Sequence, residues 1–212
     1  MRKIELLSPA KTAEHGIQAI SHGADAVYIG APQFGARANA SNSLQDIEQV
    51  VKFAHKYYAK VYVALNTILT DEELEQAEKI IYGIYNIGAD ALIIQDMGIT
   101  QLDLPPIALH ASTQMNNRTV EKVQYLEKIG FQQVVLAREL NLDQIREISE
   151  NTSVRLEGFV HGALCVCYNG QCYLSQHLMG RSANRGICAQ PCRLPYSLVD
   201  GNGRTIIEDK YL

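Results

Sequence analysis

The chain has 212 residues, of which 47% are hydrophobic and 20% charged, a composition that excludes a disordered or low-complexity protein. No apolar run approaches the roughly 18 residues of a transmembrane helix. The opening Met1-Arg2-Lys3-Ile4-Glu5-Leu6-Leu7 is too short and too charged for a secretory signal, so a cytoplasmic location is expected. The formal net charge of −4 excludes a uniformly basic nucleic-acid binder.

Short apolar runs alternate with amphipathic stretches along the chain. The runs are Ile4–Leu7, Ala26–Ile29, Val61–Leu65, Ala91–Ile94, Ile107–His110, Gln133–Leu136 and Arg155–Val160. Their near-continuous apolarity predicts parallel strands buried on both faces. Between them Ile47, Val50, Val51 and Ala54 form one helical stripe, and Leu74, Ala77, Ile80, Ile81 and Ile84 form another. Thr70 and Glu73 have capping-box spacing at the start of the second stripe. Thr119 and Asn141 open two further helices, and Gly23, Gly88 and Gly130 stand where helices end before the next strand. Seven successive strand-then-helix starts predict an α/β fold of the TIM (β/α) barrel type. An eighth strand is not apparent, so the expectation is an incomplete barrel with a cysteine-rich insertion, cut from a longer protein. Tyr196–Val199 and Thr205–Ile207, either side of Asp200-Gly-Asn-Gly203, read as a hairpin. The expected division is a barrel body over 1–160, a cysteine-rich segment over 161–193, and a hairpin over 194–212.

Charge and cysteine are unevenly spread. Residues 1–159 carry 14 Lys and Arg against 20 Asp and Glu, whereas residues 160–204 carry Arg181, Arg185, Arg193 and Arg204 against Asp200 alone. All five cysteines lie between positions 165 and 192. Cys165 and Cys172 are separated by six residues, Cys188 and Cys192 by three, and Cys167 is an extra thiol. In a cytosolic chain this favours a metal or cluster site over a disulfide framework. The spacings lean towards an iron–sulfur cluster, with structural zinc as the fallback, because the Cys-x2-Cys knuckles usual for zinc are missing. Buried or redox-labile cysteines are the plainer alternative.

A barrel places its active site at the C-terminal ends of its strands. The polar residues there are Ser8 and Lys11, Tyr28, Asn66, Gln95 and Asp96, His110, Ser112 and Gln114, Arg138 and Glu139, and Glu157 and His161. Such a ring suits a polyanionic small molecule or a nucleobase, although loop hydrogen bonds or helix caps explain single members equally well, Asp96 in particular. The long loop 31–43, with Arg37, Asn39 and Asn42, reads as a lid over the mouth. Arg181 and Arg185 are candidates to clamp an anionic substrate.

The run Glu157-x-Phe159-x-x-Gly162-Ala-Leu-Cys165-x4-Gly170-x-Cys172-x-Leu174-Ser175 resembles the signature of the collagenase-like peptidase family, peptidase family U-thirty-two. His110-Ala-Ser-Thr-Gln114 and Gly180-Arg-Ser-Ala-Asn-Arg-Gly186 are in the same style. Ala137-Arg-Glu-Leu140, with the Asn141–Arg146 run behind it, is closest to the branch that hydroxylates a 23S ribosomal RNA cytidine. The resemblance implies a cluster, of the 4Fe-4S type, on Cys165, Cys172, Cys188 and Cys192. It also implies prephenate as co-substrate and RNA, ribosomal or transfer, as substrate. The implied activity is RNA hydroxylation, with Glu157, His161, His110 and Arg138 as the catalytic set. Tyr28, Arg37, Asn39, Asn66, Gln95, Asp96, Gln114, Glu139, Arg181 and Arg185 would then bind substrate. The family's older name implies the alternative, a peptidase. That reading would need an activated nucleophile such as Cys165 beside His161, since Gly-x-Ser-x-Gly and His-Glu-x-x-His are both missing from the chain.

Overall fold

A computed structural model describes residues 4–211. Its main body is a seven-stranded parallel sheet whose spatial order follows the chain. The strands are β1 (Leu7–Ala10), β2 (Ala26–Gly30), β3 (Lys60–Leu65), β4 (Ala91–Ile94), β5 (Ala108–Ala111), β6 (Gln133–Val135) and β7 (Arg155–Glu157). Each pairs in parallel with the next, but β1 and β7 do not pair with each other, so the barrel is unclosed. Helices α1 (Ala13–Ser21), α2 (Leu44–Lys56), α3 (Asp71–Asn86), α4 (Val120–Lys128) and α5 (Leu142–Glu150) return the chain along the outside.

The period-2 alternation of the strands divides the core in two. Val27, Ile29, Val61, Val63, Leu65, Leu92 and Ile94 face outward and pack with Ile47, Val50 and Val51 of α2, Ile81 and Ile84 of α3, and Val123 and Leu126 of α4. Ala26, Tyr62, Ala64, Ala91 and Ile93 form a second, smaller cluster on the inner face. The outer layer supplies most of the apolar burial, because each helix covers two neighbouring strands with one apolar stripe. The inner layer is dominated by alanine, which leaves room in the lumen for larger polar side chains.

The elements depart from expectation in two places. The first strand lies at Leu7–Ala10 rather than Ile4–Leu7. Asp25 accepts a hydrogen bond from the Leu6 N–H and the Asp25 N–H bonds the Leu6 carbonyl, so strand pairing begins only at Leu7. As an edge strand, β1 gives Ile4 nothing to bury against and accommodates Pro9, which lacks a ladder donor. Second, β4 is followed by a 3₁₀ turn, Met97–Gln101, and not by a helix. Pro105 and Pro106 end any helical continuation there. The hairpin is present as β8 (Pro195–Val199) and β9 (Thr205–Tyr211), paired antiparallel apart from the sheet.

Between β7 and β8 the cysteine-rich segment runs as a strap with one short helix, α6 (Leu174–Met179). It touches the barrel mouth at two separated points. At the first, Gly170 is left-handed, with φ +75°, and a Cβ there would lie 1.7 Å from the Gln114 carbonyl oxygen. Only glycine lets the strap approach that closely. At the second, a Cβ on Gly186 would lie 2.4 Å from the Gly35 carbonyl oxygen, and the Gly186 carbonyl accepts from the Ala38 N–H. Gly170→Ala is therefore expected to lift the strap, lowering thermal stability by roughly 1–3 kcal/mol and speeding tryptic cleavage after Arg181 and Arg193 as the backbone around them loosens. Gly158→Ala, which has open space around it, serves as the control. Identical melting and digestion of the two variants would disprove the contact.

Candidate functional site

Four predicted residues converge at the C-terminal mouth around Tyr28, near the end of β2. Burial raises the Tyr28 phenol, the positive charges of Arg138 and Arg37 oppose that rise, and the negative charge of Glu157 adds to it. Glu157 ends β7, where the Gln133 side chain donates to its carboxylate over 2.8 Å. Burial is the main cause that pushes Glu157 from the ordinary 4.5 to about 7; the Gln133 hydrogen bond pulls it down and Glu5 pushes it up. Arg138 lies over the Phe159 ring, 4.1 Å from its centroid, and makes no ion pair with a carboxylate among the described residues. Among the described residues, the Arg37 side chain donates only to the neighbouring Ala36 carbonyl. It lines a cavity of about 170 Å³ with Gln33, Phe34, Ser41, Thr67 and Arg185. The site thus sets two guanidiniums free of carboxylates beside one carboxyl that changes charge near neutrality.

Deeper in the lumen, His110 is 1% exposed, and neither ring nitrogen has a hydrogen-bond partner among the described residues. It packs edge-on against Tyr62, ring centroids 4.6 Å apart. Burial, with Arg155 and Lys60 nearby, lowers its pKa to about 3, so it is neutral. Tyr62 donates to Glu5 over 2.7 Å and Lys60 pairs with the same carboxylate at 3.1 Å. Sequence reasoning missed this set of Glu5, Lys60, Tyr62, Gln133 and Arg155. The signal was the alternation Lys60-x-Tyr62-x-Ala64 and Gln133-x-Val135, which puts polar residues on the inner face of otherwise apolar strands.

The other predicted residues hold loops in place. The Asn66 amide accepts from the Ala36 N–H at 2.9 Å and donates to Ser112 at 3.1 Å, tying the 31–43 loop to β5. Thr67 donates to the Phe34 carbonyl, and the buried Asn42 bridges the Lys11, Gly30 and Ala40 carbonyls. The loop is folded down on the strand ends, and its Asn39 is exposed in a 3₁₀ turn. Asp96 caps the Met97–Gln101 turn through the Gly98 N–H and also accepts from the Leu69 N–H. Gln95 donates to the Gln114 carbonyl, the oxygen against which Gly170 rests. Glu139 accepts from Asn169 of the strap and lies 3.7 Å from Arg118, which covers the Tyr168 ring. Arg185 makes a bidentate pair with Glu73 at 2.6 and 2.7 Å, which holds the Glu73 carboxyl down to about 2. The Arg181 Nε donates to the Ile187 carbonyl. His161 is exposed and makes no hydrogen bond among the described residues.

The cofactor expectation is overturned. Among the described residues no three His, Cys, Asp or Glu side chains are grouped closely enough to hold a metal ion. The iron–sulfur cluster on Cys165, Cys172, Cys188 and Cys192, the co-substrate prephenate expected alongside it, and the zinc fallback are withdrawn with that finding. All five cysteines are free, Cys165 is exposed, and Cys188 is turned to accept the Gln190 N–H. Burial, followed by the neighbouring Cys172 and Cys165, raises the thiol of Cys167, the cysteine outside the expected ligand set.

A carboxyl raised from 4.5 to about 7 binds more protons folded than unfolded between those values. Glu157 therefore makes stability fall as pH rises across that window, with no further change above it. The melting temperature of Glu157→Gln minus that of the wild type is expected to grow from pH 4.5 to 7 and then level off. A difference independent of pH would show that the carboxyl is not buried as described.

The family model for peptidase family U32 matches residues 11–212. The chain is 61% identical over 210 residues to the 23S rRNA 5-hydroxycytidine C2501 synthase of Escherichia coli K12, covering 99% of this chain and 32% of that protein. It is 37% identical to the tRNA hydroxylation protein P1 of Bacillus subtilis, covering 97% of the chain and 50% of the relative. It is 33% identical to a collagenase of Porphyromonas gingivalis, covering 98% and 54%. The chain thus spans about a third to a half of the length of these relatives. The solved structure of the U32 peptidase Mk0906 superposes with a TM-score of 0.62 at 14% identity, over 74% of this chain and 68% of that one, which shows the shared fold. Among the described residues no helix is long and apolar enough to cross a membrane. The chain belongs to peptidase family U32, on the side of its RNA-hydroxylation proteins.

Proposed function

We propose that this chain is the barrel portion of an RNA-hydroxylating enzyme that acts on a pyrimidine base. The observation that carries the reading is the 61% identity to a 23S rRNA 5-hydroxycytidine synthase, sustained over 99% of the chain. The mouth suits the substrate. A base must leave its stack to be modified, and the mouth offers a half-buried tyrosine, Tyr28, and two guanidiniums, Arg37 and Arg138, to receive it and its phosphates. Replacing a ring C–H by C–OH is a two-electron oxidation, so a separate oxygen-donating oxidant must supply the oxygen, and the chain's own residues handle only the proton that leaves the ring carbon. Glu157, titrating at about 7, takes up or returns a proton at working pH. His110, neutral and buried, lies beneath the mouth and packs against Tyr62.

The collagenase-like name of some relatives raises a peptidase instead. That chemistry needs a nucleophile hydrogen-bonded to a base. Among the described residues neither His161 nor His110 hydrogen-bonds a cysteine, and the Ser175 hydroxyl is spent on the Arg181 carbonyl and the Ala189 N–H. The site therefore favours the RNA reading.

Nucleoside mass spectrometry of ribosomal and transfer RNA tests it. Cells lacking the gene are expected to lose one hydroxylated pyrimidine. The full-length protein restores it, and Glu157→Gln restores it at a rate lower by about 10²-fold or more. An unchanged nucleoside profile in the deletion strain would sink the proposal.

A further inference from the structure

From Gly158 to Val199 the chain contains no Asp, no Glu and no Lys, and its only formal charges are Arg181, Arg185 and Arg193. The preceding 157 residues carry a clear acid excess. The structure shows which of the three arginines is spent. Arg185 is neutralised by its bidentate pair with Glu73 on α3. Among the described residues, the exposed side chains of Arg181 and Arg193 donate only to backbone, at the Ile187 and Leu164 carbonyls respectively. The buried Ser175 of α6 donates to the Arg181 carbonyl and accepts from the Ala189 N–H, and the Arg193 N–H bonds the Gln190 carbonyl one residue on, so both arginines belong to one hydrogen-bonded module. The same module exposes an aromatic and apolar surface, with Tyr173 at 61%, Leu178 at 50% and Ile187 at 40%.

We infer that the outer surface of this strap module is a docking site for single-stranded RNA, with Arg181 and Arg193 on phosphates and Tyr173 stacked on an unpaired base. The inference rests on the RNA reading proposed above and assigns it a recognition surface. Charge complementarity selects the occupant. A polyanion is repelled by the acidic body and meets in the strap the longest stretch of the chain without a carboxylate. Arginine forks grip phosphate bidentately, and an exposed tyrosine stacks on any base. An anionic membrane would meet two cations here and no lysine, a weak anchor. Placement fits as well. Gly170 and Gly186 pin the strap across the mouth, so a strand lying on it delivers a neighbouring base towards Tyr28 and Glu157.

The test is fluorescence anisotropy of the full-length protein with a labelled single-stranded RNA of about 12 nucleotides, over roughly 50 to 200 mM salt. Arg181→Gln with Arg193→Gln is expected to lower the slope of log affinity against log salt by about 1.4, the value for two lost phosphate contacts on a single strand. Tyr173→Ala is expected to weaken binding about 5-fold or more, and Tyr173→Phe to retain it. Arg181→Lys with Arg193→Lys should keep the slope, which guards against a glutamine pair that merely loosens the strap. Lys52→Gln with Lys79→Gln removes equal charge elsewhere and should leave binding within twofold. Equal losses from both glutamine pairs, or duplex RNA bound as well as single strands with Tyr173→Ala silent, would overturn the inference. So would binding of phosphatidylglycerol vesicles, but not RNA, that depends on the two arginines. In cells, a glutamine pair that still modifies RNA normally refutes this surface and leaves the hydroxylase reading standing. Arginine-dependent RNA binding in a protein whose deletion changes no nucleoside refutes the hydroxylase reading and leaves the surface.

Discussion

The arrangement at the mouth depends on two places where backbone meets backbone without a side chain between. Gly170 rests on the Gln114 carbonyl and Gly186 on the Gly35 carbonyl. Around each, side chains fasten what the glycines allow. On one side Asn169 donates to Glu139 and Arg118 covers Tyr168; on the other Arg185 grips Glu73 and donates to the Ile68 carbonyl. Glu73 also caps α3 by accepting from the Thr70 N–H, so one carboxylate fixes a helix start and the strap together. A strap held at both ends has little freedom to leave the mouth, and whatever its outer surface binds is held in register with the strand ends beneath.

The unclosed sheet gives the lumen its character. In a closed barrel the interior is filled by layers of large aliphatic side chains. Here Ala26, Ala64 and Ala91 line it, and the space goes to Tyr62, His110, Gln133 and Glu157. Burial then acts in opposite directions on the two titratable groups. It holds His110 neutral by making its cation costly, and it holds Glu157 partly protonated by making its anion costly. The result is a lumen filled by polar side chains below a mouth rimmed by Arg37 and Arg138. The two guanidiniums draw an anionic group to the rim.

Much of this was legible in the sequence because strand and helix periods are local. Six of the seven strands lie within a few residues of their apolar runs. The helix starts at Thr70 and Asn141 are marked by chemistry that involves only neighbouring residues. The mouth residues followed from a rule of topology. What the sequence could not show was pairing over long separation. Arg185 was a candidate for substrate until Glu73, 112 positions away, proved to hold it. Asp96 read equally well as a ligand or a cap and is a cap, accepting from the Gly98 and Leu69 N–H groups, whereas Asn66 read as a ligand at a strand end and holds the Ala36 N–H of a neighbouring loop. The same limit governs the cysteines, since spacing along the chain says how many thiols a segment holds and nothing about whether the backbone brings them to one point.

That limit also explains why the arginines carry more of the functional argument than the thiols. A metal site needs several ligands within a few ångströms of one centre, and a shift of a single loop removes it. Recognition of a flexible polyanion makes a weaker demand. It needs cations and a stacking surface on one module, with competing carboxylates kept away, because the ligand itself adjusts to their spacing. The strap meets that demand through composition: a long stretch without a carboxylate, two arginines whose partners are only carbonyls, and an exposed tyrosine at the start of α6. The one arginine that would have widened the patch is instead the one that fastens it to the barrel. Division of labour among Arg181, Arg185 and Arg193 therefore follows from where Glu73 stands, at the first turn of a helix whose capping box had already fixed its carboxylate.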